Sequence, residues 1–195
     1  MKHAPIAAQG RHDLLLGTLF FSQGLPMGLA WLGLPAWLRG HGADLASIGL
    51  VGLTFLPWAL KFLWAPPVER LAIRYGCRRV IALTQLLSAL AYVLLSLADL
   101  QQGLAQGLLW LTLLNALCAT QDVATDRHAI RRRGVVGAVR VNTARFVGFT
   151  AGMLAGGSGL LLGEASLGWP TFMLLCALWM GGGALLAQGV ADDED

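Results

Sequence analysis

Six long runs of apolar residues, separated by polar links, make up most of this chain. The runs lie near residues 14–38, 45–64, 80–98, 104–124, 135–162 and 168–190. A helix needs about 20 apolar residues to cross the bilayer's hydrocarbon core, so each run is long enough. We therefore predict an all-α integral membrane protein whose six transmembrane helices form one domain over residues 1–195.

The composition agrees with this pattern. Hydrophobic residues make up 56% of the 195 residues and charged residues only 13%, whereas a soluble domain averages about 25% charged residues. The first run is too long for a cleavable signal, and five more follow it. The net charge of +3 gives no reason to expect nucleic acid. We predict a lipid bilayer as the surroundings and no cofactor or metal, since the three cysteines lie in separate segments.

The positions of the basic residues predict the orientation of the helices. Every Lys and Arg except Arg39 and Arg145 lies before the first run or around the second and fourth links. Basic residues collect on the cytoplasmic side of a membrane protein. We therefore expect both termini in the cytoplasm, with Lys61 as an anchor reaching the interface and the seven tryptophans mostly in interfacial belts.

Two runs carry residues that shape helices. Pro26 and Pro35 predict kinks in the first run. Gly148, Gly152 and Gly156 recur at every fourth position of the fifth run, and small residues at this interval let helix backbones approach closely.

The fourth run carries acidic residues at membrane depth. Asn115, Asp122 and Asp126 lie along one helical stripe, with Gln121 and Thr125 beside it. One hypothesis is that this stripe lines an aqueous pathway in which Asp122 titrates or contacts substrate. The alternative is that Asp126 lies among lipid headgroups and Asp122 only pairs with an arginine.

Polar residues of two other runs complete the candidate transport and proton-coupling set. Arg145 and Asn142 form a polar cluster in the fifth run, and Gln23 is a polar position in the first. Arg145 is either the buried partner of an intramembrane carboxylate or a residue that extends to the nearby interface.

The second link combines an acid–base pair with a basic turn. We propose Glu69, Arg70, Gly76, Arg78 and Arg79 as a cytoplasmic gate built on a tight hinge, because breaking and re-forming ion pairs can open and close a pathway. Simple anchoring of the topology would explain the arginines but not Glu69.

These residues resemble the cytoplasmic signature of the major facilitator superfamily, Gly-x-x-x-Asp-Arg-x-Gly-Arg-Arg. Glu69-Arg70 match its acid–base pair, and Gly76, Arg78 and Arg79 match its turn, with Glu in place of Asp and extra residues before Gly76. Residues 61–66, and 119–122 with Asp126, are similar to the branch that contains the muropeptide permeases and the RhtX/FptX-type siderophore permeases. The resemblance covers about residues 14–190.

The resemblance implies a proton-driven permease of the bacterial inner membrane that imports a small solute. The short second link is more similar to the siderophore members, so a siderophore is the expected solute and a muropeptide the alternative. Such permeases have twelve spans in two halves, each an inverted three-plus-three repeat. This chain resembles the amino-terminal half, so it is a fragment, pairs with a second copy, or needs a separate chain as its other half.

Two other hypotheses remain open. Asp122 and Asp126 beside arginines could hold Mg²⁺ and a diphosphate, as in intramembrane prenyl transferases, although no second acidic motif is present in the sequence. The chain could also be a remnant or accessory subunit that transports nothing. We predict a transporter rather than an enzyme.

Overall fold

The computed structural model describes residues 6–100 and 103–190, and the side chains of residues 6–9, 11 and 132–136 are left out of the description. Within these ranges the chain is helical and contains no strand. Six helical segments are long and apolar enough to cross a membrane. The prediction of an all-α membrane fold with six spans is confirmed. The predicted orientation of the termini concerns residues outside the described ranges and stays a prediction.

Span 1 is one long helical column with a wider turn inserted near its middle. It consists of α1 (Ile6–Gly28), a π-helical segment (Leu29–Gly33) and α2 (Leu34–Gly40). Pro26 lies inside α1, and Pro35 follows the π-helical segment. Proline lacks an N–H group and crowds the preceding turn, so the helix changes its hydrogen-bonding pattern at these positions.

Span 2 is assembled from four short pieces. These are α3 (Leu45–Leu50), a 3₁₀ segment (Val51–Phe55), α4 (Leu56–Leu60) and a second 3₁₀ segment (Lys61–Leu63). Asp44 caps α3 by accepting a hydrogen bond from the Ser47 backbone N–H at 2.9 Å, and its bonds to Ser47 lower the pKa of the Asp44 carboxyl. In an apolar 18-residue stretch of span 2 only 17% of the residues are buried, against 61% in the corresponding stretch of span 1. Span 2 therefore lies at the edge of the bundle.

The second link is helical up to the tight hinge that the sequence predicts. Helix α5 (Ala65–Tyr75) follows span 2 and ends at Gly76, and α6 (Cys77–Ser96) begins immediately afterwards as span 3. Gly76 has φ +87°, a conformation that L side chains rarely adopt. The tight turn is therefore a single glycine between two helices.

The remaining three spans are nearly continuous helices. Helix α7 (Leu104–Val136) forms span 4, α8 (Ala138–Leu167) forms span 5, and α9 (Trp169–Leu186) with a 3₁₀ turn (Ala187–Gly189) forms span 6. Helix α7 continues well past residue 124, because the polar residues that follow are compatible with a helix. Glycines with positive φ, Gly137 and Gly168, separate these helices.

Helices α1 and α8 run parallel and touch through their backbones. A Cβ atom added at Gly148, Gly152 or Gly156 would lie only 2.0–2.2 Å from a carbonyl oxygen of α1. Small residues at this spacing permit such close approach, as the sequence pattern predicts. Helix α6 packs between α7 and α9 on the other side of the bundle.

Candidate functional site

Asp122 lies on α7 with its side chain only 2% exposed, between two basic residues from other spans. Lys61 Nζ of span 2 lies 2.5 Å from Asp122 Oδ2, and Arg145 Nη2 of span 5 lies 3.5 Å from Oδ1. A buried carboxylate is strongly destabilising unless it is paired. These contacts therefore make Asp122 the point where spans 2, 4 and 5 meet.

Asp126 extends this cluster by one helical turn. Arg145 Nη1 lies 2.8 Å from Asp126 Oδ1, so one guanidinium contacts both acidic residues. The four residues form a charge-balanced group, which we call the ion cluster: Lys61, Asp122, Asp126 and Arg145.

The charges of the ion cluster differ in their accessibility. Asp122 is enclosed, whereas 35% of the Lys61 side chain and 45% of the Arg145 side chain are exposed. The charge of Asp122 is thus held inside the bundle, while Lys61, Arg145 and Asp126, which is 29% exposed, form the accessible surface of the cluster.

This geometry bears on two expectations about the basic residues. Lys61, expected to be an interfacial anchor, pairs with the buried Asp122 carboxylate while 35% of its side chain stays exposed. Of the two alternatives for Arg145, the structure shows the carboxylate partner.

Trp58 in span 2 and Trp64 directly after it bond to α7 beside the ion cluster. Trp58 Nε1 donates to Asn115 Oδ1 at 3.0 Å, and Trp64 Nε1 donates to Thr120 Oγ1 at 3.2 Å. The interfacial belt expected for these two stays a prediction. Tryptophan spacing alone does not reveal an indole N–H that points at a polar residue of a neighbouring helix.

Gln23 and Gln121 lie behind Asp122, at the contact of α1 with α7. Gln23 Nε2 donates to Thr125 Oγ1 at 3.3 Å, and Gln121 Nε2 donates to the Leu19 carbonyl at 3.4 Å. Both glutamines are fully buried. They therefore join two helices rather than form an accessible surface. Asn142, in contrast, is exposed on α8 and outside the ion cluster.

The proposed gate residues surround the α5–α6 turn. Glu69 Oε1 pairs with Arg127 Nη1 of α7 at 3.1 Å, so the acid of the signature bridges two helices. Arg70 Nε donates to the Pro66 carbonyl of its own helix at 3.4 Å. Gly76 forms the turn, while Arg78 is half-buried and Arg79 exposed. Their role as a gate stays a prediction.

The fold and this arrangement define a helical, multi-pass membrane protein with a paired carboxylate inside its bundle. Comparisons with known proteins relate it to transporter permeases. The family model described as Acetyl-coenzyme A transporter 1 matches residues 13–108.

Three curated relatives share most of this chain. An uncharacterized protein of Haemophilus influenzae is 31% identical over 94% of the chain and 44% of its own length. The anhydromuropeptide permease of Escherichia coli is 33% identical over 89% of the chain and 36% of its own length. A putative transporter, AmpG 4, of Rickettsia conorii is 28% identical over 71% of the chain and 34% of its own length.

The chain spans less than half the length of these relatives. No solved structure matches it. The relatives named here bear out the general resemblance to permeases, while the siderophore branch is not shown.

Proposed function

We propose that this chain forms the six-helix part of a proton-driven bacterial inner-membrane permease that imports a small anionic solute of the muropeptide kind. The observation that carries the proposal is the buried Asp122 carboxylate held by two accessible cations. An ionisable residue inside a membrane helix is a candidate for solute or proton handling.

The ion cluster can couple a proton to an anion through competition for the same partners. In the described arrangement Lys61 and Arg145 neutralise Asp122. A proton on Asp122 would remove its charge, release Lys61 and free Arg145 Nη2, so that both groups could bind an anionic group of the solute. Loss of that proton on the cytoplasmic side would restore the pairing and expel the solute. Asp126 would keep Arg145 in place during the exchange.

A muropeptide is better supported than a siderophore as the solute. The E. coli relative is named an anhydromuropeptide permease, and the peptide part of a muropeptide carries carboxylates that suit Lys61 and Arg145. The siderophore hypothesis depends on the length of one link, and that link proved to be a short helix, α5.

The α5–α6 turn would serve as the cytoplasmic gate in this proposal. The Glu69–Arg127 pair joins α5 to α7 on the helix that carries Asp122. Breaking that pair would let the cytoplasmic ends of the two helices separate. A second six-helix unit, or a second copy of this chain, would pack against the open face of spans 2 and 5 and form the other wall of the pathway.

Uptake measurements test the proposal. Cells that lack their own permease and express this chain, alone or with a co-expressed six-helix partner, are given radiolabelled anhydromuropeptide or a labelled ferric siderophore. We expect proton-dependent uptake of the first and none of the second. The variant Asp122→Asn should abolish uptake while remaining in the membrane, and Asp44→Asn, which keeps an acceptor at an exposed helix cap, should not. Normal uptake by Asp122→Asn would refute the role of Asp122.

The two remaining hypotheses predict other results. If the chain were an accessory subunit that transports nothing, proteoliposomes containing it would show no uptake. This would hold with a second copy of the chain and with a second six-helix unit. A prenyl transferase would bind a diphosphate with Mg²⁺, but both carboxylates already contact cations. Among the described residues no group of three His, Cys, Asp or Glu side chains is placed to hold a metal.

A further inference from the structure

A mainly apolar groove runs along the outer side of α1 and α8, and α9 closes one end of it. Its cavity volume is about 580 Å³. Leu14, Phe21, Val147 and Trp179 supply apolar lining, and Asp13 and Arg140 form one end. The surrounding helices are long and apolar enough to cross a membrane, so an apolar groove on their outer side suits a lipid.

The groove is separate from the ion cluster. The α8 residues that line it include Val147 and Ala151, whereas Arg145 and Phe149 point to another face, toward Asp122 and Trp58. An occupant of the groove would therefore leave the proposed transport pathway free.

The length of the groove matches one leaflet of a bilayer. It extends along α1 from Asp13 to Phe21, and the eight steps between these residues correspond to about 12 Å of helix. Half of a typical hydrocarbon core is about 15 Å. Asp13 and Arg140 lie near the first residues of spans 1 and 5, the side on which the basic residues collect.

Asp13 and Arg140 give the mouth of the groove one charge of each sign. Arg140 donates from Nε and Nη2 to Asp13 Oδ2, at 2.9 and 2.5 Å, and 43% of its side chain is exposed. The Asp13 side chain is 24% exposed, and because Oδ1 is buried, a contact from outside is made to Oδ2. An acceptor and a guanidinium side by side complement a headgroup that carries both an ammonium and a phosphate.

We propose that this groove binds a zwitterionic phospholipid of the cytoplasmic leaflet. One acyl chain would lie along α1 and α8 as far as Trp179, the phosphate would contact Arg140, and the headgroup ammonium would contact Asp13. Because the pair at the mouth has no net charge, an anionic phospholipid is a poorer match.

Native mass spectrometry of the purified chain in detergent tests this assignment. Phosphatidylethanolamine and phosphatidylglycerol with identical acyl chains are titrated separately. We expect one tightly held phosphatidylethanolamine and weaker retention of phosphatidylglycerol. Thr143→Phe and Ala151→Phe place a ring in the groove from exposed positions of α8. Each should lower retention by at least about tenfold, since every displaced methylene is equivalent to about a fourfold change in affinity.

Control variants keep the test specific. Leu162→Phe adds a ring at an exposed position of the same helix outside the groove and should retain the lipid normally. Asp13→Asn should reduce the preference for phosphatidylethanolamine over phosphatidylglycerol. Equal retention by the groove variants and Leu162→Phe would overturn the proposal. Disulfide-linked dimers of Thr143→Cys with unchanged lipid retention would also overturn it, because a second copy would then cover the groove.

Discussion

Replacing Gly152 by alanine tests the parallel contact of α1 with α8. The added Cβ atom would lie 2.1 Å from the Phe21 carbonyl oxygen, and real Cβ contacts are essentially never shorter than 3.0 Å. The two helices would therefore have to separate by about 0.9 Å at this level, the difference between those two distances. The neighbouring contacts at Gly148 and Gly156 are equally close, so the shift would disturb them as well.

The expected destabilisation follows from two opposing effects. Overpacking in a close-packed contact costs about 1–3 kcal/mol, and the upper end applies because the obstructing atom belongs to the backbone. The higher helix propensity of alanine offsets up to about 1 kcal/mol of this. We expect a net loss of about 2 kcal/mol, which for a chain of this size lowers Tm by about 4–8 °C.

A thiol-reactive fluorescent maleimide measures this loss during heating in detergent. Cys77, Cys118 and Cys176 are all buried, so they react as the bundle opens. Gly182→Ala on α9 is the matched control, because a Cβ atom there meets nothing within 4 Å. Its Tm should be unchanged or slightly higher. If Gly152→Ala were as stable as Gly182→Ala, the backbone contact of α1 with α8 would be refuted.

Three further substitutions probe span 2 and the α5–α6 turn. Lys61→Met leaves Asp122 with the longer Arg145 contact alone and should destabilise by about 2 kcal/mol in thermal unfolding, less than for a fully buried pair because Lys61 is partly exposed. Trp58→Phe leaves the buried Asn115 Oδ1 without its indole donor and should destabilise by about 1–3 kcal/mol in the same assay. Gly76→Ala forces a side chain into φ +87° and should destabilise by about 1–3 kcal/mol.

Each of these predictions has its own control. Adding Asp122→Asn to Lys61→Met should restore part of the lost stability, and a purely additive double variant would show that the pair is not coupled. Trp31→Phe, at an exposed tryptophan, should be neutral, and equal effects at Trp31 and Trp58 would contradict the hydrogen bond to Asn115. Gly49→Ala lies in open space, and it should not reproduce the loss expected at Gly76.

The spans could be predicted from the sequence because a bilayer imposes one demand on every spanning segment, a long apolar helix. The glycine pattern of the fifth run was likewise readable, since only glycine allows helix backbones to touch. The four-piece construction of span 2 was not readable, because short α and 3₁₀ turns share the same apolar composition. The helical nature of α5 was missed for a similar reason, as its polar residues suit a helix and a link equally.

The candidate site was predictable in part. An acid at membrane depth, Asp122, and a basic residue in the next span, Arg145, could be recognised as potential partners from position alone. Lys61 could not be assigned to Asp122 from the residues themselves, since a lysine at the end of an apolar run also suits the interface. Which indole N–H meets which polar group depends on helix rotation, and a single sequence does not specify that rotation.

The construction of span 2 has a mechanical consequence. The backbones of spans 1 and 5 are in direct contact, so we expect these two helices to move together as one rigid body. Span 2 is segmented and mostly uncovered, which makes it the compliant member of the bundle. Lys61, which pairs with the buried Asp122 carboxylate, therefore lies on the most deformable span. A small movement of span 2 would be enough to lengthen this ion pair.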